Sequence, residues 1–465
     1  MVMHKSKESG LTLGNIVEWS GGSSSLAAIA RKRRVATVWN DSRNVRRGDV
    51  FVAITTGRDD GHRYVRAAFN AGAAAVIVDA KAAVDCAQAD RKRLIAVNDT
   101  VRAVQRVATR YRRELGILLI AVTGSSGKTT TRSFIAAVLN TVFPVGETYT
   151  NWNNRIGVPL SILRFTGKEW AGVIEMGANH TGEISELSKV AEPDVALITN
   201  IGYAHIGLFG SLASTTRAKF EIVDGLNRKS GFMLLNGDDE RIVAHARKSG
   251  IETVYFGLSS RCDVRPERVR FDPRRGLDLV VDGYEFHLPV PGRHFLYSAL
   301  PAIYLGRRCG VSDVKIAQTL AVQKPYRMRG SVEKKKGVTF IVDCYNANPS
   351  SMKNAVASLV EMASPDRRVA IVGDMLELGK YARRLHIGLG RMLADSKVRK
   401  VVAIGQFARD VANGAVKAGM SQKRIYTAVQ ADEAALLAKQ LIRPGEVVLL
   451  KGSRGVHLET VFEKF

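Results

Sequence analysis

The chain is punctuated by short, almost unbroken apolar runs that end abruptly at a glycine, an asparagine or a charged residue. Gly116-Ile-Leu-Leu-Ile-Ala-Val122 has the character of a strand covered on both faces. Ala73-Ala-Ala-Val-Ile-Val-Asp79, Ala171-Gly-Val-Ile-Glu175 and Asp194-Val-Ala-Leu-Ile-Thr199 repeat it. So do Thr339-Phe-Ile-Val-Asp343, Arg368-Val-Ala-Ile-Val-Gly373, Lys400-Val-Val-Ala-Ile-Gly405 and Glu446-Val-Val-Leu-Leu450. Between the runs, apolar residues return at helical spacing, as in Phe134, Ile135, Val138 and Leu139, and small residues predict a further helix over 65–72. Buried strands alternating with helices predict parallel sheets clad on both sides, hence an α/β protein.

At 465 residues, and with ~150 residues per domain as a prior, about three domains are expected. The pattern divides into a smaller N-terminal α/β domain (1–97), a central domain with a mostly parallel sheet (98–322) and a C-terminal doubly wound, Rossmann-like domain (323–465). The last lacks the dinucleotide glycine fingerprint.

Composition narrows the class. A hydrophobic content of 46% suffices for buried cores. No apolar segment reaches the ~18 residues of a membrane span, so no membrane insertion is expected. The opening Met1-Val-Met-His-Lys-Ser-Lys-Glu-Ser-Gly10 has no apolar signal-peptide core. Cys86, Cys262, Cys309 and Cys344 are isolated, as reduced thiols of a cytoplasmic protein would be. The net charge of +25, partly clustered in Arg31-Lys-Arg-Arg34, Arg91-Lys-Arg93, Arg112-Arg113 and Lys334-Lys-Lys336, attracts polyanions non-specifically. Aromatic residues are only 7% and no nucleic-acid motif is present, which argues against specific nucleic-acid binding. A solvated basic surface suited to polyphosphate ligands is the preferred reading.

The chemistry concentrates after the run ending at Val122. Gly124-Ser-Ser-Gly-Lys-Thr-Thr130 opens a predicted helix, so backbone N–H groups of Gly124, Ser125, Ser126 and Gly127 can cradle a phosphate. Lys128 adds a point charge and Thr129 a hydroxyl for magnesium. The spacing Gly-x-x-Gly-Lys-Thr is two residues shorter than the usual phosphate loop. A nucleoside triphosphate is the expected ligand. Glu175 ends a buried strand, His205 follows the next one, and Lys219 lies in a predicted helix; in this order they suggest a metal site serving phosphoryl transfer.

These residues resemble the Mur ligase superfamily, most closely its MurF-type branch, over nearly the whole chain. The first section contributes Asp41-Ser-Arg43, Gly48-Asp-Val-Phe51 and Asp60-Gly-His62. The second contributes the phosphate loop, Asn151-Trp-Asn-Asn154, Glu175-Met-Gly-Ala178, Thr199-Asn-Ile-Gly202, Ala204-His205 and Ala218-Lys219. The third contributes Asp343-Cys-Tyr-Asn-Ala-Asn-Pro349, Gly373-Asp-Met-Leu-Glu-Leu-Gly379 with His386, and Lys451-Gly-Ser453. The Asp-Asn-Pro-Arg run of a diaminopimelate-adding relative is missing.

The resemblance implies a ligase using ATP and Mg2+ to join D-Ala-D-Ala to the terminal carboxylate of UDP-MurNAc-tripeptide through an acyl phosphate, as a cytoplasmic monomer in peptidoglycan precursor synthesis. It implies that Thr129 and Glu175 hold one magnesium, and that His205 and a carbamylated Lys219 serve a second. Thr130 joins the loop, Asp343 meets the ATP ribose, and Arg327 or Arg329 serves the γ-phosphate. Ser42 and Arg43 of the first domain would meet the UDP substrate, with Asn151, Asn153, Asn154, Asn346 and Asn348 toward its peptide and the incoming dipeptide. One departure concerns adenine: Gly292-Arg-His-Phe-Leu-Tyr-Ser298 places Phe295 and Ser298 where the family has asparagines. Two alternatives compete. One is another superfamily ligase, MurE-like or folylpolyglutamate synthetase-like; the other is a catalytically impaired basic nucleotide-binding protein.

Overall fold

Four sheets carry the architecture of the computed structural model, which describes residues 10–57, 59–83 and 90–465. Cys86 and the opening residues 1–9 fall outside the described residues. The first sheet is parallel, in the order β1 (Val38–Trp39), β2 (Val50–Val52), β3 (Ala75–Asp79) and β4 (Leu94–Val97).

The second sheet has six parallel strands: β5 (Leu118–Thr123), β6 (Val145–Glu147), β7 (Ala171–Glu175), β8 (Val195–Ile198), β9 (Phe232–Asn236) and β10 (Thr253–Phe256). Their order is β10-β9-β8-β5-β7-β6, so β5 lies between β7 and β8. Ala121, Val122, Val173, Ile174 and Leu197 are fully buried, as their continuous apolar pattern requires.

A third, antiparallel sheet follows: β11 (Arg268–Asp272), β12 (Gly276–Val281) and β13 (Tyr284–Leu288). It adds an element that the parallel pattern expected over 98–322 did not include. Its Leu277, Leu279, Phe286 and Leu288 share one apolar cluster with Ile120, Val122 and the helices Lys128–Leu139 and Leu296–Arg308.

The last sheet runs β14 (Ser331–Lys335), β15 (Val338–Val342), β19 (Val447–Lys451), β16 (Arg368–Gly373), β17 (Lys400–Ile404) and β18 (Ile425–Ala428). β14 is antiparallel to β15, and the remaining pairs are parallel. It has cores of its own on both faces, whereas the helix Thr100–Leu115 packs into a single cluster shared by the first and second sheets.

Some of the clustered charge has structural partners within the chain. Arg112 is 7% exposed and donates to the Ala191 and Glu192 carbonyls and to Asp194. Lys335 and Lys336 donate to the carbonyls of Phe462, Glu463 and Phe465, the C-terminal end of the helix Glu459–Lys464. Those carbonyls lack partners within the helix and carry its negative pole. Among the described residues no helix is long and apolar enough to cross a membrane. The three described cysteines are buried and unpaired.

Two helices of the last unit, Ala382–Asp395 and Ala408–Lys417, cross at a pair of glycines. A Cβ on Gly390 would lie 2.0 Å from the Val411 carbonyl oxygen, and one on Gly414 would lie 2.0 Å from that of Ile387. Backbone cannot give way as a side chain can. Gly390→Ala should therefore destabilise the protein by ~1–3 kcal/mol. Gly388→Ala, two residues away with nothing near its Cβ, should stabilise it by ~0.4–1 kcal/mol. Denaturant midpoints of the two variants should move in opposite directions.

Candidate active site at the meeting of two sheets

The site is assembled at the carboxyl ends of adjacent strands, where parallel sheets gather ligands. β5 leads into the phosphate loop and helix Lys128–Leu139, β7 ends at Glu175, and β8 leads through Thr199 to His205. Gly127, with φ of +79°, caps the helix without a side chain. Gly124, with φ of +143°, passes so close to β8 that a Cβ there would lie 2.0 Å from Thr199 Oγ1. The loop is clamped by its neighbour: Asn200 accepts from Ser126 N (3.0 Å) and donates to Ser126 O (3.0 Å). Ser125 Oγ accepts from Gly202 N (2.8 Å).

Lys128 Nζ donates to Gly124 O (2.9 Å), folding the cation over its own loop. Burial lowers its proton affinity; Glu175 opposes that shift and Arg329 adds to it. Glu175 accepts from Thr129 Oγ1 (2.7 Å) and Asn153 Nδ2 (2.9 Å). Burial raises its pKa, but Lys128, Arg329 and these two donors together hold it below the usual glutamate value.

Lys219, in the helix Leu212–Phe220, is 2% exposed. Its Nζ faces the Phe209 ring at 5.5 Å and forms no ion pair among the described residues. Burial, with Lys128 nearby, pushes it down to about 7, so near neutrality much of it is free amine. His205 pairs through Nδ1 with Glu377. Burial together with Lys128 and Lys219 lowers its pKa against the pull of Glu377, which favours the neutral imidazole.

The last sheet closes the other side. β15 and β19 are paired so that Asp343 N donates to Leu450 O, which sets Asp343 beside Lys451 at 2.8 Å. Lys451, 1% exposed, also donates to the Asp343 and Asn346 carbonyls. Asn348 caps the helix Pro349–Met362 and donates to Ser125 O (3.3 Å), tying that helix start to the phosphate loop. The result is one cavity of about 980 Å³ lined by both units.

Three matches with known proteins span the same architecture. The Mur ligase family's catalytic-domain model matches residues 34–112, its middle domain 122–306 and its glutamate ligase domain 327–454. A UDP-N-acetylmuramoyl-tripeptide--D-alanyl-D-alanine ligase from Bacillus subtilis is 34% identical over 91% of this chain and 92% of its own length. The chain belongs to the Mur ligase family. A crystal structure of MurF from Acinetobacter baumannii superposes with a TM-score of 0.83 at 28% identity, covering 98% of both chains. MurF ligase from Thermotoga maritima in complex with ADP gives 0.81 at 28% identity, covering 93% of this chain and 97% of that one.

Within this Mur ligase, the cavity is lined by Ser125, Ser126, Gly127, Lys128, Thr129, Thr130, Asn153, Asn154, Glu175, His205, Lys219, Arg329, Asp343, Asn346 and Asn348. The two arginines part in space. Arg329 lies over the Tyr345 ring (3.9 Å) in the cavity, whereas Arg327 is exposed and paired with Glu463 outside it. Ser42 and Arg43 lie elsewhere, on a short turn that Asp41 caps, and Arg43 pairs with Asp41. Asn151 does not line the cavity but donates to Tyr345 Oη (3.2 Å) across the two units.

Two asparagines are committed to structure. Asn154 Oδ1 accepts from the Ile156 and Gly157 amides, and both ends of the Asn348 amide are taken. Ser298 shares its hydroxyl with Thr131 (2.9 Å), and the Phe295 ring lies against His294 (4.4 Å). Burial pushes His294 down to about 4, so it stays neutral. Sequence reasoning gave no role to Asn200, Asp238, His294, Tyr297 or Lys451. Asn200, His294, Tyr297 and Lys451 lay within quoted runs, while nothing in the sequence marked Asp238.

Asn348→Ala should cost about 1 kcal/mol through the lost cap and should also weaken ADP binding by freeing Ser125. Asn346, exposed and bonded through its side chain to the adjacent Ala347 N, should tolerate alanine without a change in melting. Thermal melts and ADP titrations of the two variants check both statements.

Proposed function

We propose that this chain is an ATP-dependent ligase that joins D-Ala-D-Ala to the terminal carboxylate of UDP-MurNAc-tripeptide, in the cytoplasm, during peptidoglycan precursor synthesis. The observation that carries the reading is the shared cavity, where a phosphate loop from one unit faces Asp343, Arg329 and Lys451 from another. The division at 97 and 322 assigns the UDP part to the first unit, ATP to the second and the dipeptide to the third.

The donors suit magnesium. Thr129 and Glu175 offer a hydroxyl and a carboxylate already 2.7 Å apart, oxygen donors of the kind magnesium takes beside water and phosphate. A bound magnesium would neutralise phosphate charge. His205 and Lys219 are the residues for a second ion at the acyl end.

In the first step a carboxylate oxygen of the tripeptide attacks the γ-phosphorus, the bond to the β-phosphate bridge breaks, and ADP leaves. Lys128 and Arg329 counter the charge that makes this approach unfavourable. In the second step the dipeptide amine attacks the acyl carbon, phosphate departs, and the amine loses a proton. Lys451 holds Asp343 for the ATP ribose.

Lys219 acts as a carbamate. Its neutral amine forms a C–N bond with carbon dioxide and releases one proton, which leaves a carboxylate on a long stem. A free ammonium would repel the metal instead.

Three outcomes test this reading. Phosphate release in the presence of UDP-MurNAc-tripeptide should be stimulated by D-Ala-D-Ala far more than by lysine, diaminopimelate or glutamate, and Lys128→Ala should abolish it. Equal stimulation by glutamate would contradict the assignment. Lys219→Ala should lose nearly all turnover and regain part of it with acetate; near-normal turnover without bicarbonate would exclude the carbamate.

A further inference from the structure

Asp343, Lys451 and Asn348 meet the phosphate loop directly, but the third unit also reaches the opposite side of the cavity. The loop after β16, residues 374–381, docks on the turn that carries His205. Gly207 N donates to Glu377 O (2.9 Å), and Tyr381 Oη donates to Gly210 O (3.0 Å). The backbones touch: a Cβ on Gly207 would lie 2.6 Å from Gly379 N. Ile206, 1% exposed, is buried in the third unit's core with Met375 and Leu378.

The docking loop is fixed from behind. His386 Nε2 accepts from Met375 N (3.0 Å), and Ser453 Oγ accepts from Leu376 N (2.9 Å). At the tip of this arrangement the Glu377 carboxylate pairs with His205 Nδ1. Both residues have left-handed backbones, with φ of +61° and +54°. Such a conformation costs a non-glycine residue roughly 1–3 kcal/mol and persists where the surroundings enforce it.

We infer that Glu377, reaching across from the third unit, is a positioning residue for His205. Paired with Nδ1, the Glu377 carboxylate holds the ring from one side and leaves Nε2 as the atom open to a ligand. Undocking the 374–381 loop releases both the ring and the turn beneath it. This inference rests on the role given to His205 above.

The test uses the full chain with His205→Ala, Glu377→Ala and Glu377→Gln. His205→Ala should be inactive. Glu377→Ala should lower kcat roughly 10- to 100-fold, the usual effect of removing a ligand's orienting partner. KM for ATP should stay within about twofold, because uniform binding is untouched. Glu377→Gln should recover most of the loss, since its amide oxygen can occupy the same place beside Nδ1. In protein without nucleotide or metal, hydrogen exchange at the Gly207 amide should be faster in Glu377→Ala than in Glu377→Gln. A kcat for Glu377→Ala equal to the parent's, with His205→Ala inactive, would overturn the inference and leave the catalytic reading standing. Glutamine no better than alanine would reduce Glu377 to a structural role. Normal turnover by His205→Ala would overturn the reading and the inference together.

Discussion

Positive charge held out of water is the constraint on which the site depends. A carboxylate and a triphosphate repel each other; at an effective dielectric of about 20, two unit charges 4 Å apart interact by ~4 kcal/mol. The cavity meets this with Lys128, Lys219, Lys451 and Arg329 against the carboxylates of Glu175 and Asp343. Two of these lysines are at most 2% exposed, and burial depresses the proton affinity of Lys128 and Lys219. The folded protein therefore carries an electrostatic cost until an anionic ligand arrives, and binding relieves it.

Sheet geometry delivers those charges. Three neighbouring strands of the second sheet end together, bringing the phosphate loop, Glu175 and the segment leading to His205 to one edge. Two neighbouring strands of the last sheet do the same for Asp343 and Lys451. The two edges face each other because Asn348 bonds to the phosphate loop and Tyr345 to Asn151. Neither sheet contains the site alone.

Much of this was legible in the sequence, because buried parallel strands are continuous apolar runs with sharp ends. β7 and β16 start and stop where their runs do, and β5, β8, β15, β17 and β19 differ from theirs by one or two residues. The helix around Lys219 was also anticipated. β11–β13 were not, although the Asp282-Gly283 pair, both at positive φ, is a hairpin turn between alternating segments. β14 was hidden by its own charge, Glu333-Lys-Lys335, on an antiparallel edge strand. In the site, motif order named Lys128, Glu175, His205 and Lys219, which the fold brings to one cavity. It did not separate Arg329 from Arg327: they differ by two positions, and only folding sends one into the cavity and the other to Glu463. Asn348 looked like a substrate contact because a cap and a ligand-binding amide are the same residue type.

Isotope transfer from the acceptor carboxylate tests the shared cavity most directly. UDP-MurNAc-tripeptide labelled with 18O in its terminal carboxylate should, after ligation with D-Ala-D-Ala, yield inorganic phosphate carrying one labelled oxygen, because the carboxylate oxygen that attacks phosphorus departs with it. Phosphate free of label, with both labelled oxygens still on the unligated tripeptide or lost to water, would show that the γ-phosphate never met the carboxylate.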